Sequence, residues 1–235
     1  MTTTPIVALD VPSADQALRI VEALGARCRF YKIGSELFTA AGPAVVSRVR
    51  DAGCDVFLDL KLHDIPNTVR GAARSAAALG VRLLTVHAAG GLAMLAAAVE
   101  GGGDRVGILA VTVLTSFDAA SLAQATGRPD IDVSGEVVRL AGVAAGAHAH
   151  GIVCAGPEAG AIRERFGDDL AVLVPGIRMI GDTAHDQRRV VTPAEAAAAG
   201  ARYIVVGRAV TAAAHPKAAM EAVLADLEHG CGSLA

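Results

Sequence analysis

The feature that most constrains the fold of this chain is a regular alternation of short apolar runs with longer, Ala-rich stretches of helical character. The apolar runs are continuous, as is typical of parallel strands that are buried on both faces. Eight strand–helix repeats in 235 residues favour a closed barrel over an open doubly wound sheet. The sequence therefore predicts one α/β domain, residues 1–235, folded as a single (β/α)8 TIM barrel. Its predicted strands are Ile6 to Leu9, Phe30 to Ile33, Val56 to Leu60, Leu83 to Val86, Val106 to Val113, Ile152 to Cys154, Ala171 to Val174 and Tyr203 to Val206.

Capping residues mark where several helices begin. Ser13 is a typical N-cap before a predicted helix from Ala14 to Leu24, and Pro43 suits the first turn of the next helix. Pro157 and Pro193 open two later helices in the same way.

Composition excludes several classes of protein. No apolar run approaches the roughly 18 residues of a membrane span, so we expect a soluble protein that does not contact a membrane. The chain starts with no secretion signal, which predicts a cytoplasmic location. Its 21 basic and 24 acidic residues are mixed and give a net charge of −3, so no basic stripe indicates nucleic acid binding. The four cysteines are far apart, which favours reduced thiols over a zinc site or disulfides.

Charges of both signs stand at the end of the third predicted strand. Asp59 and Lys61 follow the apolar run that starts at Val56, and Asp64 lies just beyond. Residues two apart on a strand face the same side, so the first two side chains are predicted neighbours. One interpretation is a buried ion pair followed by an Asp at a helix start. The alternative is a reaction site, because three charges so close together at a strand end are expensive to bury without a function.

The other strands also end in polar residues. Active sites of TIM barrels lie at the carboxyl ends of the strands, so this pattern predicts the position of the site. The loops after the last two strands commonly bind phosphate, and a glycine beside an arginine suits that role. A tight turn with a surface arginine is the alternative reading of Gly207-Arg208. The strand-end residues are Asp10, Lys32, Asp59, Lys61, His87, Thr112 to Ser116, Pro175 to Arg178, and Gly207-Arg208.

A polar stretch from Gly181 to Arg189 separates Arg178 from Pro193. A connection of this length inside a compact domain is usually functional. We interpret it as a lid that brings Gln187 or an arginine onto a bound phosphate, with a merely solvated loop as the alternative.

These motifs together resemble the bacterial type of orotidine 5′-phosphate decarboxylase. The similarity covers nearly the whole chain and is most specific in the run from Asp59 to Thr68, Asp-Leu-Lys-Leu-His-Asp-Ile-Pro-Asn-Thr. The resemblance implies conversion of orotidine 5′-monophosphate to UMP and carbon dioxide, the last step of de novo pyrimidine synthesis, with no metal and no organic cofactor. The other matching motifs are Leu9-Asp10, Tyr31-Lys32-Ile33-Gly34, Pro175-Gly176-Ile177-Arg178, Gln187 and Val206-Gly207-Arg208.

The resemblance also implies a role for each site residue. Lys61 would donate a proton to C6 of the pyrimidine, and Asp59 would lie beside the substrate carboxylate. Lys32, Asp59, Lys61 and Asp64 would form a network of alternating charge. Asp64 would reach the site of the other subunit of a homodimer, together with Thr68. The remaining substrate contacts would be Asp10 and Thr68 to the ribose, Thr115 (or its neighbour Ser116) to the pyrimidine, and Arg178, Gln187, Gly207 and Arg208 to the phosphate. Ile65 would be a further substrate-binding residue.

Two other functions remain open from the sequence. Magnesium-dependent sugar-phosphate lyases of the same superfamily share the Asp-x-Lys-x-x-Asp element, but they resemble each other in placing a metal-binding Glu where this chain has Lys32. A lysine at that position repels a metal ion and favours the nucleotide enzyme. The other alternative is a non-catalytic barrel that binds a nucleotide phosphate, and it leaves Asp59 and Asp64 without a purpose.

Overall fold

The barrel predicted from the sequence is confirmed. The structure, a computed structural model, describes residues 2–179 and 190–231. Its eight strands are all parallel and pair in sequential order, and β8 pairs with β1 to close the barrel. The strands are β1 (Thr4–Ala8), β2 (Phe30–Gly34), β3 (Asp55–Leu62), β4 (Leu83–His87), β5 (Gly107–Val111), β6 (Gly151–Val153), β7 (Ala171–Val174) and β8 (Tyr203–Val206).

Helices connect the strands and cover the outside of the barrel. Eleven α-helices lie in the described ranges, and none of them has the combination of length and apolar character needed to cross a membrane. They are α1 (Ala14–Leu24), α2 (Ser35–Ala41), α3 (Ala44–Asp51), α4 (Pro66–Ala78), α5 (Gly91–Gly102), α6 (Ala119–Thr126), α7 (Val133–Gly146), α8 (Gly156–Phe166), α9 (Pro193–Ala198), α10 (Arg208–Thr211) and α11 (Pro216–Cys231).

The capping signals act as the sequence indicates. The Ser13 hydroxyl accepts a hydrogen bond from the Gln16 amide, and α1 has the predicted bounds. At α9, Thr192 and Glu195 form a reciprocal capping box just before and after Pro193. These side chains satisfy amide groups that the first turn of a helix leaves without partners.

Three of the eleven helices were not predicted, since the eight repeats predict one helix each, and one strand is shorter than predicted. α2 lies directly after β2, α6 lies in the loop after β5 behind the Asp118 cap, and the short α10 lies directly after Gly207. The predicted fifth strand continued to Val113, whereas β5 ends at Val111. Beyond it, the hydroxyl of Thr112 donates to the Val153 carbonyl at 2.7 Å. This side-chain hydrogen bond joins the two segments just beyond the last residue pair of β5 and β6, Val111 with Val153.

The core has two layers. One lies between the strands and the surrounding helices, and the other fills the barrel interior. Large side chains occupy that interior, so the space for a ligand is confined to the mouth of the barrel. The interior layer consists of Ile6, Ala8, Phe30, Phe57, Leu83, Leu109, Leu173, Tyr203 and Val205.

Candidate active site

The carboxyl end of β3 departs from regular strand geometry. Leu58 pairs with Leu84 and Leu62 with Val86, so three residues of β3 lie opposite Thr85 alone. Within this bulge Lys61 has φ of 49°, a left-handed conformation that costs a non-glycine residue about 1 kcal/mol or more. Bulges of this kind redirect side chains. Here Asp59 and Lys61 both line the cavity at the barrel mouth.

Four charged side chains of alternating sign form a continuous row across β1, β2 and β3. Lys32 Nζ lies 2.7 Å from Asp10 Oδ1 and 3.5 Å from Asp59 Oδ2. Lys61 Nζ lies 2.8 Å from both carboxylate oxygens of Asp59. Asp59 thus lies between two ammonium groups, and Lys61 is its neighbour as the strand spacing predicts. Asp64, the fourth member of the network implied by the resemblance, is not part of this row, which ends instead in Asp10.

The ion pair between Asp10 and Lys32 lies close against the backbone of Gly34. A Cβ atom on Gly34 would lie 2.9 Å from Asp10 Oδ1 and 3.0 Å from Lys32 Nζ. Since real Cβ atoms are rarely so close to a polar neighbour, a glycine at this position leaves room for the ion pair between Asp10 and Lys32.

Thr85 is the buried residue of the site that sequence reasoning missed. Its hydroxyl donates to Asp59 Oδ1 and accepts from the backbone amide of Lys61, each at 2.9 Å. The available signal was one polar residue inside the apolar run of β4. Val or Thr suits a buried strand equally well by propensity, so the signal was weak.

Burial and nearby charge have opposite effects on the pKa of Asp59 and act in the same direction on that of His87. Burial alone would raise the pKa of Asp59, but Lys32, Lys61 and the Thr85 hydroxyl together hold it below its usual range. Burial lowers the pKa of His87 at the end of β4, and the nearby His63 and Lys61 lower it further. At neutral pH Asp59 in the cavity wall is therefore ionised, and His87 at the end of β4 is neutral.

The charged row forms part of the wall of a cavity of about 560 Å³. Arg178 and Arg208 contribute positive charge from the loops after β7 and β8. The cavity therefore combines a mixed-charge wall with a cationic region, a suitable arrangement for a ligand that carries an anion at a distance from its reacting group. Apolar side chains complete the lining: Ala8, Phe57, Val111, Val113, Leu114, Val153, Leu173 and Val205.

Most of the residues predicted from the sequence meet in this cavity. Thr115 lines it, and Glu36 and Thr211 line it without having been predicted. Gln187 lies outside the described residues, as does the rest of the predicted lid from Gly181 to Arg189. The predicted residues that line the cavity are Asp10, Lys32, Asp59, Lys61, Thr115, Arg178, Gly207 and Arg208.

Three predicted residues lie instead on the surface at the start of α4. Asp64 is exposed, and its Oδ1 accepts a hydrogen bond from the Ile65 amide at 2.6 Å. The Ile65 residue is 67% exposed, and Thr68 is exposed one turn further along. None of the three lines the cavity of its own chain.

Within residues 2–179 and 190–231, no group of three or more His, Cys, Asp or Glu side chains is arranged to hold a metal ion.

Comparison with known proteins places this architecture in a family. The model of the orotidine 5′-phosphate decarboxylase / HUMPS family matches residues 3–223. A protein named orotidine 5′-phosphate decarboxylase from Anaeromyxobacter sp. (strain K) is 52% identical over 222 residues, which cover 94% of this chain and 96% of that protein. One of the same name from Halorhodospira halophila is 48% identical and covers 94% of each chain. The crystal structure of orotidine 5′-phosphate decarboxylase from Lactobacillus acidophilus superposes with a TM-score of 0.84 at 36% identity, covering 97% of this chain and 99% of that one.

Proposed function

This chain belongs to the orotidine 5′-phosphate decarboxylase / HUMPS family, and we propose that it converts orotidine 5′-monophosphate to UMP and carbon dioxide. This reaction is the last step of de novo pyrimidine nucleotide synthesis. The observation that carries the proposal is the row of Asp10, Lys32, Asp59 and Lys61 at the mouth of the barrel. The cavity they line, at the carboxyl ends of the strands, is the proposed active site.

The chemical problem is a localised negative charge. When the bond from C6 to the carboxylate breaks, its electron pair stays on an sp² carbon with no adjacent electron sink. A fixed ammonium group stabilises that pair and supplies the proton that replaces carbon dioxide. We assign this role to Lys61, whose Nζ is held by both oxygens of Asp59. Because these hydrogen bonds exist before the reaction, little reorganisation is needed as charge develops at C6.

Asp59 has a second proposed role. It is 8% exposed and keeps its negative charge, so a substrate carboxylate beside it would experience repulsion in the ground state. That repulsion ends when neutral carbon dioxide leaves. Binding energy from the distant phosphate offsets it while the substrate is bound.

The phosphate end of the substrate is assigned to the loops after β7 and β8. Arg178 and Arg208 supply guanidinium groups, and Gly207 has no side chain to shield its backbone. Gln187 is a further proposed phosphate contact from the sequence. Asp10 is proposed to bind the ribose, and Thr115 the pyrimidine.

A direct assay tests the function. Purified protein in excess chelator should remove the ultraviolet absorbance of orotidine 5′-monophosphate and yield UMP. A parallel reaction should contain 3-keto-L-gulonate 6-phosphate and magnesium. Turnover of the sugar phosphate alone would replace the proposal with a magnesium-dependent lyase, and no turnover of either would favour a non-catalytic binding protein.

We also propose that the active site is shared across a homodimer. Asp64 and Thr68 would complete the partner's cavity, which is consistent with their exposure and their absence from the cavity of their own chain. Among the described residues, two large apolar side chains are exposed, Ile65 at 67% and Leu92 at 53%. Burying such side chains is a common source of stability in dimers. The cytoplasmic location stays a prediction from the sequence.

Mixing two inactive variants tests the shared site. Lys61→Ala and Asp64→Ala should each lose activity alone, whereas an equal mixture should recover about a quarter of the wild-type rate after subunit exchange. This fraction follows because half of the re-assorted symmetric dimers are mixed and each of these has one intact site. A mixture no more active than the average of its components would show that each site belongs to one chain.

A further inference from the structure

Thr85 lies at the point where β3 and β4 lose their register. It is 1% exposed and is the only β4 residue opposite the three-residue segment Asp59, Leu60 and Lys61. A strand with such an excess leaves backbone groups without ladder partners. The side chain of Thr85 therefore occupies the place of a regular backbone pairing.

The hydroxyl of Thr85 uses both of its hydrogen-bonding capacities at this site. It has a single hydrogen, which it donates to Asp59 Oδ1, and it accepts the Lys61 amide through a lone pair. One oxygen atom therefore holds the carboxylate of one charged residue and the backbone of the other. Neither bond depends on a bound ligand.

The bond to Lys61 constrains a backbone that would otherwise relax. With φ of 49°, Lys61 has a conformation that non-glycine residues adopt only when surrounding contacts enforce it. The Thr85 oxygen is the acceptor for the amide of that residue. Removing it leaves a partly buried donor without this partner and allows the backbone to move, which shifts the Lys61 ammonium group.

We propose that Thr85 is a positioning residue for the decarboxylation, which fixes Asp59 and Lys61 relative to each other so that the ammonium group of Lys61 meets C6. The inference rests on the proposed function. Thr85 itself has no proposed contact with the substrate. It acts through Asp59 and Lys61, the two residues that its hydroxyl holds. Its contribution should therefore appear in the chemical step rather than in binding of the phosphate end, which lies with Arg178 and Arg208.

The decisive variant is Thr85→Val, which keeps the shape of the side chain and removes the hydroxyl. We expect kcat for orotidine 5′-monophosphate to fall about 10- to 100-fold, because a displacement near 1 Å in a reacting group has an effect of this size. The Kd of UMP should change by less than about threefold, since Thr85 does not line the cavity and the arginines at the phosphate end are unchanged. Thr85→Ser restores the hydroxyl and should bring kcat back to within about threefold of wild type.

Thr3→Val is the matched control. Thr3 is also a buried threonine, 6% exposed, and its hydroxyl donates to the Ala201 carbonyl at 2.7 Å just before β1, at the opposite end of the barrel. This variant loses one buried hydrogen bond to a neutral acceptor, away from the cavity, and should keep kcat within about twofold. If Thr85→Val does not fold, Thr85→Ala provides the same comparison with Thr85→Ser.

Three results would overturn the inference in an active wild-type enzyme: unchanged kcat in the hydroxyl-free variants, a loss of UMP binding equal to the loss of kcat, or a serine variant as slow as the valine or alanine variant. A wild-type protein that does not decarboxylate the nucleotide would instead refute the proposed function. The wild-type assay therefore separates the two failures.

Discussion

Strand β3 has an aspartate near each end, and the two ends use that residue differently. Asp55, at the amino end, pairs with Arg82 at 2.6 Å, and both side chains are 51% exposed. Asp59, near the carboxyl end, pairs with Lys32 and Lys61, and its side chain is only 11% exposed. The same residue type in the same strand thus forms a solvated surface pair at one end and part of a buried charge network at the other.

The surroundings of the two ends of β3 also differ, in how the barrel is filled. At the amino end, aromatic rings fill the barrel: Phe30 and Tyr203 meet edge to face with centroids 6.3 Å apart. Arg82 lies over the first ring at 5.2 Å and Arg202 over the second at 5.9 Å. At the carboxyl end the charged groups surround an open cavity. Charge at the amino end therefore supports packing, whereas charge at the carboxyl end is available to a ligand.

The comparison predicts how much the charged groups at each end of β3 contribute to folding stability and to the reaction. An exposed ion pair contributes little to stability because water already solvates both partners. A buried network is costly to assemble and stabilises folding only while it is complete. Substitutions at the carboxyl end should therefore affect chemistry and acid stability strongly, and those at the amino end should have small effects.

The largest expected effect comes from Lys61→Ala. Loss of the proton donor should reduce kcat by roughly 10³-fold or more, since general acid catalysis and electrostatic stabilisation are removed together. The variant should remain folded and should still bind UMP, because the Lys61 side chain is 38% exposed and the phosphate contacts are elsewhere. Stopped-time UMP assays and a UMP titration measure the two properties, and substantial residual turnover would exclude Lys61 as the acid.

Asp59→Asn should show the second largest effect, in the pH dependence of stability. At pH 7 this variant should unfold roughly 3 kcal/mol more easily than wild type, because it leaves Lys32 and Lys61 without their shared counterion. In the folded protein the charges of these lysines outweigh burial and hold the pKa of Asp59 below its usual range. The stabilisation is therefore complete above the unfolded pKa of about 3.9 and disappears as the pH falls through the lower folded value.

Urea unfolding of both proteins between neutral and acidic pH measures this difference. The gap between wild type and Asp59→Asn should narrow only below about pH 4. Asp55→Asn is the matched control on the same strand, and its exposed pair predicts a gap of less than about 1 kcal/mol at any pH. Equal gaps for the two variants would remove the distinction between the two ends of β3.

Arg208→Ala should have an intermediate effect, confined to phosphorylated ligands. Arg202 and Arg208 lie on either side of β8, but only Arg208 lines the cavity. Loss of a charge-assisted contact should weaken UMP binding about 10- to 100-fold and leave uridine binding within about threefold. Isothermal titration with each ligand measures this, and Arg202→Ala should bind both as wild type does. Equal losses for UMP and uridine would place the phosphate elsewhere.

The contrast between the two ends of β3 shows which features of the site could be predicted from the sequence. A parallel barrel fixes the direction of every strand, so Asp59 rather than Asp55 was predicted to be functional. The predicted strand ends also placed Asp10, Lys32 and Lys61 at the same mouth of the barrel, where all three line the cavity. This prediction depends only on the order and direction of the strands. Those features are set by hydrophobic pattern and topology, which a sequence displays directly.

Features that depend on register were missed. The bulge that leaves Thr85 opposite three residues of β3 arises from pairing between two strands, and neither strand shows it alone. The left-handed backbone of Lys61 follows from the same mismatch, since lysine has no intrinsic preference for it. Glu36 was missed because it lies on α2, a helix that was not predicted, and it nevertheless lines the cavity.

The smallest expected effect is that of Arg82→Ala at the amino end. The variant loses an exposed ion pair with Asp55 and a contact with the face of the Phe30 ring. Together these should lower the free energy of unfolding by about 1 kcal/mol, with kcat unchanged. Arg82→Lys keeps the charge but not the planar group, so it should recover part of the lost free energy of unfolding. High salt should weaken the ion pair with Asp55 that the lysine retains. A fall in kcat without a loss of stability would contradict the assignment of this end to packing, because it would couple the amino end of β3 to the chemistry around Asp59.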